Sequence, residues 1–71
     1  MNSSIEMNAH LDALYERYGR EAVVISASEA ARYLGVDRRT LLADHTFPAK
    51  RLTKGGHWRV PLIGLARWLA A

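Results

Sequence analysis

Arg38, Arg39 and Thr40 open a short segment with the marks of a helix, and a second basic cluster (Lys50, Arg51, Lys54, Arg59) follows with His57 inside it. The planar guanidinium fork of arginine takes a phosphate or the acceptor edge of guanine through two parallel bonds, and lysine acts on phosphate as a point charge. Two arginines at a helix N-terminus oppose the macrodipole by a few tenths to about 1 kcal/mol each. Asp37 offsets only part of that, so the pair reads as polyanion recognition rather than as an ordinary helix start. Between Lys50 and Arg59 there are four cations, one histidine and no acid. Residues 26–71 balance at +5 and residues 1–25 at −2, for a net charge of +3 over 71 residues. A basic half on a small chain suggests a polyanionic partner, although charge alone would equally suit a solvated surface.

Other chemistries find little support. The chain has no cysteine, hence no disulfide framework and no thiolate metal site. His10, His45 and His57 share no ligand spacing, so neither a metal nor a cofactor is expected. No nucleophile elbow, phosphate loop or paired carboxylates occur. Gly55-Gly56 precedes a strand, whereas a phosphate-binding loop opens a helix, so an enzyme is not expected. The N-terminus is polar, lacks a basic n-region, and no run is long enough for a signal or membrane helix. A cytoplasmic protein without membrane contact is the expectation.

The elements that must position the basic residues follow from capping and periodicity. Ser26 and Glu29 form a capping box, and Ala27, Ala30, Ala31 and Leu34 fall on one helical stripe. Gly35 suits the left-handed residue that closes this helix, and Asp37 caps the next. Two short helices joined by Gly-Val-Asp read as a helix-turn-helix. The second is expected from Arg38 to about His45 or Thr46, stopped by Phe47-Pro48. Leu41, Leu42 and Phe47 anchor it, leaving Arg38, Arg39, Ala43 and His45 outward. Upstream, Met7, Leu11, Leu14 and Tyr18 predict an amphipathic helix from Ile5, ended by Gly19; it either covers the core or pairs with a partner. Ala22 to Ile25 reads as a strand that pairs with the later hairpin. After Pro61, Leu62, Leu65, Ala66 and Leu69 predict a closing helix.

The hairpin register follows from its turn. A three-residue loop Lys54-Gly55-Gly56 places Thr53 opposite His57 and Leu52 opposite Trp58. One face would then carry Lys50, Leu52, Trp58 and Val60, and the other Arg51, Thr53, His57 and Arg59. The whole is a small α+β winged helix-turn-helix: a two-stranded wing hairpin, a short N-terminal strand and an additional N-terminal helix. The expected division is 1–22 for the N-terminal amphipathic helix and its connection, and 23–71 for the winged domain. In such a body Arg38, Arg39 and Thr40 would reach bases or phosphates from the major groove. Lys50, Arg51, Lys54, Gly55, Gly56, His57 and Arg59 would follow the backbone and minor groove, with His45 as a further contact.

The pattern ISASEAARYLGVDRRTLL, then FPAKRL, GGHWRVP and a closing LARWLA, resembles the excisionase-type winged helix-turn-helix domains, relatives of the DNA-binding domain of MerR-type regulators. The resemblance spans residues 23–71 and implies that the helix from Arg38 and the wing from Lys50 to Arg59 bind double-stranded DNA. It implies a recombination directionality factor that bends attachment-site DNA for an integrase, or a small transcriptional regulator of a phage or mobile element. A winged-helix module that binds protein instead is the competing class. The second helix is about a turn shorter than in many relatives, and the sequence stops at Ala71 without the basic tail that some excisionases carry. The N-terminal helix lies outside the resemblance. It either packs on the domain or offers a surface to an integrase or to a second copy.

Overall fold

The computed structural model describes residues 3–51 and 53–71, apart from the side chain of Ser3. In chain order the elements are α1 (Ser3–Tyr18), β1 (Val24–Ser26), α2 (Ala27–Leu34), α3 (Arg38–Ala43), β2 (Arg59–Pro61) and α4 (Leu62–Ala70). Together they form the expected small α+β body, a helix-turn-helix followed by a wing-like hairpin loop.

Local chemistry sets most of the boundaries. α1 stops at Gly19, which takes φ +96° while its amide donates to the Tyr15 carbonyl at 2.7 Å. Ser26 Oγ accepts from the Glu29 amide at 3.1 Å, and Glu29 Oε1 accepts from the Ser26 amide at 3.2 Å, completing the capping box. Gly35 closes α2 at φ +71°, a region that carries no steric penalty only for glycine, and the Val36 amide reaches back to the Ala31 carbonyl. Asp37 Oδ1 then caps α3 by accepting from the Arg39 amide at 3.0 Å.

The core is assembled from every element. Ala27, Ala30 and Ala31 let α2 lie close to its neighbours, and Leu14, Ile25, Leu41, Phe47, Val60, Leu62, Leu65 and Ala66 are buried with them. Leu14 is fully buried, and α1 packs chiefly along α4, with Met7, Leu11, Tyr15 and Tyr18 against the core. The N-terminal helix thus covers the core of the domain. β1 and β2 are antiparallel, with Ile25 opposite Val60 facing inward and Ser26 opposite Arg59 facing outward. Bonds from the Leu62 amide to the Val23 carbonyl and from the Ala27 amide to the Trp58 carbonyl extend the pairing at both ends.

The wing departs from the expected register. Lys50 and Arg59 exchange both backbone hydrogen bonds, at 2.8 and 2.7 Å, so they are directly opposite and their side chains share a face. The loop is one residue shorter than expected: the Gly56 amide donates to the Thr53 carbonyl at 2.9 Å, closing a turn around Lys54-Gly55, and Gly55 takes φ +83°. A Cβ on Gly56 would lie 2.7 Å from Thr53 Oγ1 and 3.0 Å from the Thr53 carbonyl oxygen. Shifting a pairing by one residue turns side chains to the opposite face. Lys50 therefore joins Arg59 instead of Trp58, and the Arg51 guanidinium lies 4.8 Å over the Trp58 ring. The clean separation of apolar and basic faces does not occur. The pairing of Leu52 with Trp58 falls outside the described residues.

α3 is also shorter than the expected reach to His45 or Thr46. Asp44 leaves helical angles (ψ 114°), and its Oδ1 accepts from both the amide and the hydroxyl of Thr46, at 2.9 and 2.7 Å. That side-chain turn offers the backbone an alternative to another helical residue.

Candidate nucleic-acid interface

Arg38, Arg39 and Thr40 are exposed, and Leu41 behind them is buried. At about 100° per residue, Arg38 lies roughly 60° from Leu41 on the Leu42 side, Arg39 lies about 160° away, and Thr40 turns to the other flank. Leu42 shares a depression with Asp44, His45, Phe47, Ala49 and Trp58, so the Leu42 side of α3 is its wing side. Arg38 accordingly meets the wing. It lines an open groove of about 270 Å³ with Ser26, Ala27, Ser28, His57, Trp58 and Arg59. Arg39 faces straight outward.

Arg59 is the centre of the arrangement. Pairing with Ser26 holds it on the outer face of the two-stranded sheet, beside the start of α2. It lines the groove with Arg38, a second one with Thr53, Gly56 and His57, and an apolar pit with Val24, Lys50 and Pro61. Among the described residues no ion pair engages Arg38, Arg39, Lys50, Lys54 or Arg59, so their charge is available. Arg51 is also charged but lies against Trp58. Lys54 and Gly55 are exposed at the wing tip.

The structure brings Arg38, His57 and Arg59 together, sets Lys50 beside Arg59, and turns His45 toward the base of the wing. Thr40 and Arg39 lie outside the groove. Four lining residues, Ser26, Ala27, Ser28 and Trp58, were absent from the expected set. The Ser-x-Ser start of α2 was the available signal for the first three. Trp58 is half-buried against the core and carries Arg51 on its face.

Asp44 is the group whose titration is displaced. Its carboxyl lies below the ordinary range because the Thr46 hydroxyl donates to it, helped by the Thr46 amide and the neighbouring His45. It therefore belongs to the turn at the end of α3, which its ionised form holds together. Among the described residues no group of three His, Cys, Asp or Glu could hold a metal ion. No helix among them is long and apolar enough to cross a membrane.

Two capped helices joined by a glycine turn, with arginines at the start of the second and a basic loop beside it, define a helix-turn-helix protein. A family model described as a helix-turn-helix domain matches residues 24–71, about two-thirds of the chain. The chain belongs to that family, which points to DNA as its ligand. No curated protein and no solved structure matches it.

Proposed function

We propose that this protein binds double-stranded DNA without catalysing a reaction on it, most simply as an excisionase-like recombination directionality factor. α3 enters the major groove, where Arg39 takes a guanine edge and Arg38 a phosphate at the groove margin. The wing tracks the backbone with Lys50, Arg51, His57 and Arg59, and carries Lys54 and the Gly55-Gly56 backbone into the minor groove. The observation that supports the reading is the placement of Arg38 and Arg59 in one groove, so that the helix start and the wing can straddle a single strand of the duplex. Thr40 and His45 flank the same surface. The exposed side of α1, with Ile5, Asp12 and Glu16, is left for an integrase or a second copy.

The test is a binding titration against mixed duplex DNA at low salt, followed by selection of a cognate site and a circular-permutation bending measurement. A salt-sensitive complex that bends its selected site is the expected result. A selected site bound without bending favours a transcriptional regulator of a phage or mobile element. No complex with any duplex removes the DNA reading in favour of a protein-interaction module.

A further inference from the structure

The turn from the end of α3 to the root of the wing rests on α4 through three consecutive residues. The Trp68 indole Nε1 donates to Thr46 Oγ1 at 3.0 Å, and that hydroxyl donates in turn to Asp44 Oδ1 at 2.7 Å. The hydroxyl has a single proton and gives it to Asp44, and the indole can only donate, so the bridge runs in a single direction from α4 to the cap of α3. The next residue, Phe47, is buried with its ring edge-on to Trp68, centroids 5.2 Å apart at 89°. Pro48 then lies so near Gly64 that a Cβ there would come within 3.2 Å of the proline Cβ. Beyond it Lys50 pairs with Arg59 and the wing begins.

α3 needs such an anchor. Six residues are too few to hold a helix by themselves, and among them only Leu41 is buried. Its start is held by Asp37 and the Gly35 turn, but its end has no helical continuation. Whatever fixes the 44–48 turn therefore fixes two things at once: the axis of α3 and its offset from the wing.

We infer that the Thr46 hydroxyl and the Trp68 indole are positioning groups that set the recognition helix against the wing and thereby set discrimination between a chosen DNA site and random duplex. The inference rests on the DNA-binding reading for its consequence, but its geometric half stands without it. Base contacts demand placement within a fraction of an ångström, whereas phosphate contacts tolerate a shift. Loosening this bridge costs sequence preference before it costs general affinity.

The experiment compares Thr46→Val, Thr46→Ser and Trp68→Phe. Valine keeps the branched shape and removes the hydroxyl, serine keeps the hydroxyl, and phenylalanine keeps a ring against Phe47 while removing the donor. Affinity for the selected site and for random duplex of equal length is measured across salt. The ratio of the two should fall about tenfold in Thr46→Val and in Trp68→Phe, the size of one weakened base contact. Random-duplex affinity and its salt slope should stay within about twofold of the parent, because no cation is removed. The double variant should lose no more than either single one, and Thr46→Ser should retain the parent ratio. An unchanged ratio in Thr46→Val, or a loss in Thr46→Ser equal to that in valine, overturns the inference. Hydrogen exchange without DNA separates this outcome from failure of DNA binding itself. Amides of residues 41–47 should exchange about tenfold faster in Thr46→Val while those of α1 do not change. Unchanged exchange at 41–47 overturns the positioning role even if the parent binds no DNA at all.

Discussion

Arg59→Gln is the most direct probe of the proposed interface, because this one side chain borders the α3 groove, the wing tip and the Lys50 pit. The candidate surface carries six cations: Arg38, Arg39, Lys50, Arg51, Lys54 and Arg59. With Arg39 assigned to a base edge, five remain for phosphates. Each neutralised phosphate contributes about −0.9 to the slope of log K against log salt, so the parent slope should be about −4.5. Between 50 and 200 mM salt that is a loss of about 500-fold, and of about 150-fold once one contact is removed. Arg59→Gln should therefore flatten the slope by about 0.9 on cognate and random duplex alike. Its side chain is exposed and free of ion pairs, so folding stability should change by less than about 0.5 kcal/mol. Arg67→Gln is the matched control, since Arg67 lines the seam between α1 and α4 with Ser4 and Met7. The assay is anisotropy of a labelled duplex titrated at five salt concentrations. An unaltered slope in Arg59→Gln, or an equal change in Arg67→Gln, would refute the placement of DNA across the α3–wing groove.

Arg39→Ala should weaken the selected site by about 1–3 kcal/mol and relax preference at one base pair, while leaving random-duplex affinity much less affected; competition against single-base variants of the site checks this. Ser26→Ala removes the hydroxyl half of the capping box and should cost about 1 kcal/mol, seen in a thermal melt as a fall of about 4–8 °C. Asp44 is depressed in the folded protein, so its contribution is fully present above the ordinary carboxyl range and is lost as pH falls through its folded value. An NMR titration should show the Thr46 amide moving only below the ordinary carboxylate range, and Asp44→Asn should abolish that movement. Gly55→Ala strains a residue at φ +83° and should loosen the wing tip without unfolding the domain, visible as faster exchange of the Gly56 amide.

Much of this protein was legible along the chain because its helix ends are decided within four or five residues. Ser26 with Glu29, Gly35 with its left-handed turn, and Asp37 with the Arg39 amide are local hydrogen-bonding solutions that need no distant partner. The same holds for Ala27, Ala30, Ala31 and Leu34, which helical spacing alone places on one side of α2; the three alanines are buried and Leu34 half-buried. The wing was harder. Lys54-Gly55-Gly56 allows turns of more than one length, and each choice moves the register by a residue and exchanges the faces. The observed one is tied to remote partners: β2 pairs with β1 through Ile25 and Val60 on one edge, and Arg59 pairs with Lys50 on the other. The end of α3 was equally non-local, because the Thr46 hydroxyl acquires its second partner from Trp68, twenty-two residues away.

Sequence by itself determined the helix-turn-helix, the position of the arginines at its second helix and the basic character of the following loop. Tertiary structure alone decided that Arg38 faces Arg59 across one groove, that Arg51 lies on Trp58, and that α1 covers the core along α4. The division follows range: a cap or a glycine turn is satisfied by its own neighbours, whereas a register and a packed face are chosen by surfaces that meet only once the chain has folded.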